Sequence, residues 1–261
     1  MRNNALKPYL TTAWAGQCFL YEEETDSTNL MAKRLAKEGA AHGTLVCAAR
    51  QSAGRGRRGR TWISEENGNI YMSLLLRPDM EPSHAPMMTL IMAYSVAKAV
   101  EQVCKVKTGI KWPNDILNGT KKICGILTEM GMDKGMISYV VIGVGINTGQ
   151  MEIPEELKDK AFSLDIGKEQ KEELMAVCMN LFEENYETFA GCGSLKFLKE
   201  EYETRLVNRG KTVCVLEPGN EYRGRALGIT EKGELLVEKE TGEIVEVYSG
   251  EVSVRGVYGY V

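Results

Sequence analysis

The sequence predicts an α+β chain, with strands and long helices sharing residues 1–207 and a small all-β unit over 208–261. Three observations carry this. Apolar residues recur at helical spacing in several stretches before residue 206. Between those stretches lie short, nearly continuous apolar runs of strand length. After Asn208 the texture changes to short strands punctuated by glycine turns, with no helical pattern.

Asp26-Ser27-Thr28 precedes Leu30, Met31 and Leu35, with Lys33, Arg34, Lys37 and Glu38 between them, which predicts a capped amphipathic helix ending at Gly39. Thr44–Ala49 and Ile70–Leu76 read as strands. Residues 84–104 read as a long helix. Its uncharged part, Ala85–Ala97, is too short to span a bilayer and continues through Lys98 and Glu101 as a core helix. Lys105–Lys111 and Lys122–Glu129 read as strands flanking a turn, and the β-branched run Tyr139–Ile146 as a buried central strand. Leu174, Val177, Leu181 and Phe189 predict a helix over 169–189, and another follows over 194–205. Beyond Asn208, strands are expected at Val213–Leu216, Tyr222–Ile229, Glu234–Lys239, Glu243–Tyr248 and Val252–Val254. Pro218-Gly219-Asn220, Lys232-Gly233 and Thr241-Gly242 separate them, giving a small barrel or sandwich.

The net charge of −4 argues against wholesale polyanion binding, so no nucleic-acid partner is expected. The seven cysteines form no CxxC pair and lie mostly in apolar runs, which fits reduced, buried thiols in a cytoplasmic protein. The only histidines, His42 and His84, belong to no cluster of metal-ligand spacing, which argues against zinc chemistry and a Ser-His-Asp mechanism. Arg2 and Lys7 precede Ala13-x-Ala15 in imitation of a secretion signal, but the stretch between is too short and too polar. No membrane partner is expected.

Against that acidic background, residues 51–62 read Gln-Ser-Ala-Gly-Arg-Gly-Arg-Arg-Gly-Arg-Thr-Trp, with four arginines and three glycines. Gly54-x-Gly56-x-x-Gly59 matches a dinucleotide-binding turn in form, but loop and strand follow where that turn must open a helix. A P-loop is absent: Gly210-Lys211-Thr212 has Arg205 where the upstream glycine belongs. The segment joins two expected core strands, so it is a loop with fixed ends and not a disordered tether. Glycines allow close backbone approach, and arginines supply forked, permanently charged donors. Together they suit a loop that closes over an anionic small molecule.

Lys111-Trp112-Pro113-Asn114-Asp115 ends a strand, with Pro113 holding Trp112 extended. The hairpin after it brings Lys122 near Lys111 and Asp115. Gly143-Val144-Gly145-Ile146-Asn147 ends the central strand with small residues, which leave room either for a ligand or for a neighbouring helix.

Taken in order, Asp26-Ser27-Thr28-Asn29, Gln51–Trp62, Lys111–Asp115, Lys122-Ile123-Cys124-Gly125-Ile126-Leu127 and Gly143–Asn147 resemble the biotin protein ligases. The resemblance covers essentially the whole chain. It implies a mixed-sheet catalytic domain of the class II aminoacyl-tRNA synthetase/biotin synthetase-like type over 1–207, and an SH3-like barrel over 208–261. It implies a monofunctional enzyme without a winged helix-turn-helix, since only a short stretch precedes Asp26. It implies biotin and ATP as substrates, Mg²⁺ with the nucleotide, biotinyl-5′-AMP as intermediate, and a lysine of a biotin carboxyl carrier protein domain in a biotin-dependent carboxylase as acceptor. Homodimerisation through an exposed sheet edge is a further expectation. By this resemblance Ser27, Thr28, Asn29, Gln51, Arg55, Gly56, Arg57 and Lys122 bind biotin. Arg57, Arg60, Trp62, Lys111, Asn114, Asn147 and Arg255 face the nucleotide. Lys122, Arg57 and Asp115 are the catalytic candidates, with Lys122 bridging the biotin carboxylate and the α-phosphate. Asn114 and Asp115 have two open roles, holding Mg²⁺ with the triphosphate or, for Asp115, accepting the acceptor lysine's proton. The arginine loop is expected to be mobile without ligand and ordered with it. One departure stands out: Gln150–Pro154 lacks the tryptophan that some relatives stack on adenine, which leaves open what packs on the base. Lipoate ligases share fold and chemistry but would lack the Gly54–Arg60 pattern.

Overall fold

The computed structural model describes residues 4–64, 68–149, 160–216, 219, 221–249 and 253–256. The chain runs β1 (Phe19–Thr25), α1 (Thr28–Lys37), β2 (Leu45–Gln51), β3 (Ile70–Leu76), α2 (Ala85–Cys104), β4 (Gly109–Lys111), β5 (Asp115–Asn118), β6 (Lys121–Asp133), β7 (Met136–Ile146), α3 (Lys168–Cys192) and α4 (Lys196–Arg205). Then come β8 (Thr212–Leu216), β9 (Tyr222–Ile229), β10 (Leu235–Lys239), β11 (Ile244–Val247) and β12 (Ser253–Gly256). The first seven strands form one sheet in the order β1-β2-β3-β7-β6-β5-β4. Only β1 and β2 are parallel, joined through α1; every other pair is antiparallel. The expected mixed sheet is therefore what the chain builds.

Packing follows from which faces are apolar. Every residue of β3 is buried, since it lies inside the sheet with both faces covered. On one face α2 packs between the sheet and α3, so it is apolar nearly all round, from Ala85 to Val100. On the other face α1 sets Ala32 and Ala36 against Val46, Leu75 and Val141. Its small residues let the helix lie close to the sheet, and Gly39, at φ +89°, ends it where expected. Ahead of the sheet, the backbone N–H groups of Ala13, Trp14 and Ala15 all donate to the Glu183 carboxylate, tying the N-terminal segment to α3.

Several expectations needed correction. β1 and β5 were not anticipated as strands. β1 carries the exposed charges Glu22, Glu23 and Glu24 that suit an edge, and β5 is too short for its alternation to show. The strand expected from Lys105 starts only at Gly109, because Lys105 takes the left-handed conformation that closes α2. Ser27 occupies the N-cap of α1 with extended backbone but makes no side-chain cap hydrogen bond.

The second sheet is five-stranded and antiparallel, in the order β11-β10-β9-β8-β12, around Val213, Val215, Ala226, Ile229, Leu235, Val237, Val247 and Val254. Its last expected strand was to start at Val252, which lies outside the described residues, as do Pro218 and Asn220. Trp112 joins the two sheets. It is buried, its backbone N–H donates to Asn208 Oδ1 at 2.9 Å, and its indole donates to the Gly233 carbonyl at 3.0 Å.

Candidate active site

Strand register lays out the floor of the site. Residues directly opposite in an antiparallel pair share a face, so Lys111, Asp115, Gly125, Gly145 and Tyr71 form one row across β4, β5, β6, β7 and β3. The next row is Leu127, Gly143 and Ser73. Three glycines thus open a trough on the α1 face of the sheet. A Cβ on Gly145 would stand 2.6 Å from the Trp62 ring, and one on Gly125 would stand 2.7 Å from the same ring and 2.9 Å from Lys122 Nζ. A Cβ on Gly143 would overlap Asn29 Oδ1. Of the two readings of these glycines, Gly143 makes room for the first turn of α1, and Gly145 for the arginine loop's tryptophan.

The arginine loop lies across this trough. Ser52 and Ala53 donate their N–H groups to Thr25 and Asp26 carbonyls, Gly56 to Arg60, and Trp62 to Gly54. Gly54 is required, since a Cβ there would overlap the Trp62 carbonyl oxygen. Two cavities lie against the loop. Gly56, Arg57, Trp62, Asn114 and Lys122 line both.

The inner cavity, about 60 Å³, is lined by the neutral polar groups of Ser27, Thr28, Asn29 and Gln51 together with the cations Arg55, Arg57 and Lys122. Thr28 donates its N–H and its hydroxyl to Gln51 Oε1 at 2.8 and 3.1 Å, and Gln51 Nε2 donates to Ser64 Oγ at 2.8 Å. Ser73 Oγ lies 2.8 Å from Thr28 Oγ1 and 2.6 Å from Asn29 Oδ1. Such a set suits a neutral ligand end that offers both donors and acceptors.

The outer cavity, about 460 Å³, is cationic. Arg57, Arg58, Arg60, Lys111, Lys122, Lys160 and Arg255 line it, with Asp115 as the one carboxylate among the described residues. Lys122 Nζ sits 2.6 Å from Asp115 Oδ1 and 5.1 Å from the Trp62 ring centroid. Arg57 donates to Asn114 Oδ1 at 3.1 Å and to the Ser249 carbonyl. Burial pulls its guanidinium below the ordinary arginine range, opposed by the Asp115 charge. Lys111 is buried as well, and desolvation brings its amine down to about 8; Asp115 resists, while Lys122, Arg255 and Arg60 push the same way as burial. The Trp62 indole N–H is buried without a hydrogen-bond partner among the described residues. Among the described residues the lining is a crowd of cations with one carboxylate, which suits a polyanion.

The structure brings Ser27, Thr28, Asn29, Gln51, Arg55, Gly56, Arg57 and Lys122 to the inner cavity, and Arg57, Arg60, Trp62, Lys111, Asn114, Asp115, Lys122 and Arg255 to the outer. Asn147 lines neither. It stands behind Lys122, donating Nδ2 to the Lys122 carbonyl at 3.2 Å and its backbone N–H to Ile123 at 2.9 Å. Arg55 points to Glu129, 3.6 Å away. Sequence reasoning missed Tyr71, Ser73, Ser64, Lys160 and Glu129, none of which belongs to a motif; register and chain crossing bring them in. Gln150–Pro154, the segment without the expected tryptophan, lies outside the described residues. Among the described residues, no group of three or more His, Cys, Asp or Glu side chains is placed to hold a metal ion, and no helix is long and apolar enough to cross a membrane.

Comparison with known proteins identifies the family of the chain. Residues 21–147 match the model of the Biotin/lipoate A/B protein ligase family, and residues 210–255 match the Biotin protein ligase C terminal domain. The Bifunctional ligase/repressor BirA of Bacillus subtilis (strain 168) is 38% identical over 250 residues, covering 93% of this chain and 76% of that protein. The Biotin--[acetyl-CoA-carboxylase] ligase of Mycobacterium tuberculosis is 32% identical over 236 residues, 88% of this chain and 86% of that one. Among solved structures, the biotin protein ligase from Aquifex aeolicus in complex with biotin and ATP superposes with a TM-score of 0.78 at 34% identity, covering 92% of this chain and 99% of that one. The chain belongs to the biotin protein ligase family and, by that membership, is a ligase.

Proposed function

We propose that the chain joins biotin to ATP as biotinyl-5′-AMP and then transfers biotin to a lysine of a biotin carboxyl carrier protein domain. One observation carries this reading: a small cavity lined by the polar groups of Ser27, Thr28, Asn29 and Gln51 shares Lys122 and Arg57 with a larger cationic cavity. The neutral polar groups of the inner cavity suit biotin's ureido end, and the cationic cavity suits the triphosphate. In the first step the biotin carboxylate attacks the α-phosphorus, and pyrophosphate leaves. Both reactants are anions, so the cations at the junction must offset their repulsion while holding them in line. Lys122 is the group for that bridge. In the second step the acceptor's amine attacks the acyl carbon, and AMP leaves. The arginine loop, whose backbone already spans the trough, shields the anhydride from water.

Mg²⁺ fits as an ion carried by the nucleotide's phosphates. Such sites use one or two carboxylates plus phosphates, and Asp115 is the carboxylate present among the described residues. The alternative for Asp115, accepting the acceptor lysine's proton, is equally compatible with its place beside Lys122. Dimerisation through β1, an edge strand, remains part of the proposal. The deciding assay is isotope exchange between pyrophosphate and ATP. It is expected to require biotin and to ignore lipoate. Exchange driven by lipoate, or none with biotin, would overturn the assignment.

A further inference from the structure

Glu129 takes part in no step described so far, yet it connects two parts of the site. It lies beyond Leu127 on the trough face of β6, opposite Val141. Its Oε2 accepts from Asn29 Nδ2 at 2.9 Å, and its Oε1 accepts from Lys33 Nζ at 2.5 Å and faces Arg55 Nη1 at 3.6 Å. Burial alone would raise its carboxyl, but the bonds from Lys33 and Asn29 and the Arg55 charge hold it below the usual carboxylate range. Through Asn29 the chain of contacts continues to Ser73, Thr28, Gln51 and Ser64, and Ser64 Oγ donates to the Trp62 carbonyl at 3.1 Å. It therefore starts at Arg55 and returns to the same loop at Trp62, passing round the inner cavity.

Arg55 occupies a particular position in that circuit. It lines the inner cavity but not the outer one, whereas Gly56 and Arg57 line both. Asn29 Nδ2 is engaged by Glu129 and by the Leu127 carbonyl at 3.2 Å. From this geometry we infer that Glu129 is a positioning residue that latches the arginine loop through Arg55 and fixes the Asn29 amide, so that Arg55 acts on the loop and not on the ligand's carboxylate. The inference rests on reading the inner cavity as the biotin pocket.

The test has two arms, using Glu129→Gln, which keeps an acceptor for Asn29, Arg55→Met, and the double variant. In the first arm, amide hydrogen exchange at Gly56 and Trp62 is measured without ligand. Each single variant is expected to exchange about two- to fivefold faster, the range for loss of a partly exposed ion pair, with the double variant no faster than either single. Unchanged exchange in Glu129→Gln, or additive effects, would overturn the latch. In the second arm, affinity is measured for biotin and for its neutral carboxamide. A latch makes Arg55→Met weaken both by the same factor. A loss confined to biotin would make Arg55 a ligand of the carboxylate and sink the inference. If the wild-type protein binds neither compound, the substrate reading fails, and the exchange arm still decides the latch.

Discussion

At Lys122 the proposed reaction needs an amine for two anions, and the structure gives that amine a carboxylate 2.6 Å away and a tryptophan face beside it. Lys122→Ala is expected to lower biotin-dependent pyrophosphate exchange by about 10²–10³-fold, comparable to removing one transition-state donor, with the circular dichroism spectrum unchanged. Wild-type exchange would remove Lys122 from the reaction. Lys111 makes a different prediction. Its amine sits near 8 in the folded chain against an ordinary 10.5, so the unfolded chain binds the proton more tightly. The folded state therefore carries a penalty below about pH 8 that is relieved as pH rises from there toward 10.5. Lys111→Met should raise the melting temperature at pH 7 and flatten the rise in stability between pH 8 and 10. In the wild type, nucleotide affinity should fall as pH passes 8, and in the variant it should be weak throughout. A melting temperature lowered by the substitution would contradict this account. The lysine itself was legible in Lys111–Asp115. Its depressed amine was not, because burial beneath the cavity comes from strands and a barrel far along the chain.

At the scale of elements, the paired strands β6 and β7 matter through what they lack. Gly145→Ala places a methyl 2.6 Å from Trp62, so the loop must shift to accommodate it. The expected outcome is a loss of about 1–3 kcal/mol of stability, typical of overpacking, with weaker binding of biotin and ATP in titration calorimetry. Gly191→Ala in α3 is the contrast. No atom lies within 4 Å of its added carbon, and the change should stabilise by about 0.5–1 kcal/mol in thermal melts. Equal destabilisation of both variants would show that the trough is not specially crowded. The sequence pattern marked Gly143 and Gly145 as openings but left ligand and helix as rival occupants. The tertiary contacts settled it: Gly143 faces Asn29 of α1, and Gly145 faces Trp62 of the arginine loop.

At the scale of the whole molecule, the joint between the sheets lies beside the outer cavity. Trp112 lines that cavity and reaches Asn208 and Gly233, while Arg255 enters the cavity from β12. Asn208→Ala leaves the buried Trp112 N–H without its partner and should cost about 1–3 kcal/mol. If the joint positions Arg255, ATP affinity drops as well, and biotin affinity does not. A variant with wild-type melting and ATP binding would show that the joint is immaterial.

Residue chemistry and local conformation were determined by the amino-acid sequence itself. Which side chains carry permanent charge, where glycines free the backbone, and where helices stop at Gly39 or Gly193 depend on neighbours along the chain. The tertiary structure alone decided that Arg55 meets Glu129, that Asn147 braces Lys122 from behind, and that five strands align Lys111 with Tyr71 across the trough. Those facts depend on strand register and on which helix face is buried. Both are set by the packing of segments distant in sequence, which local pattern does not encode.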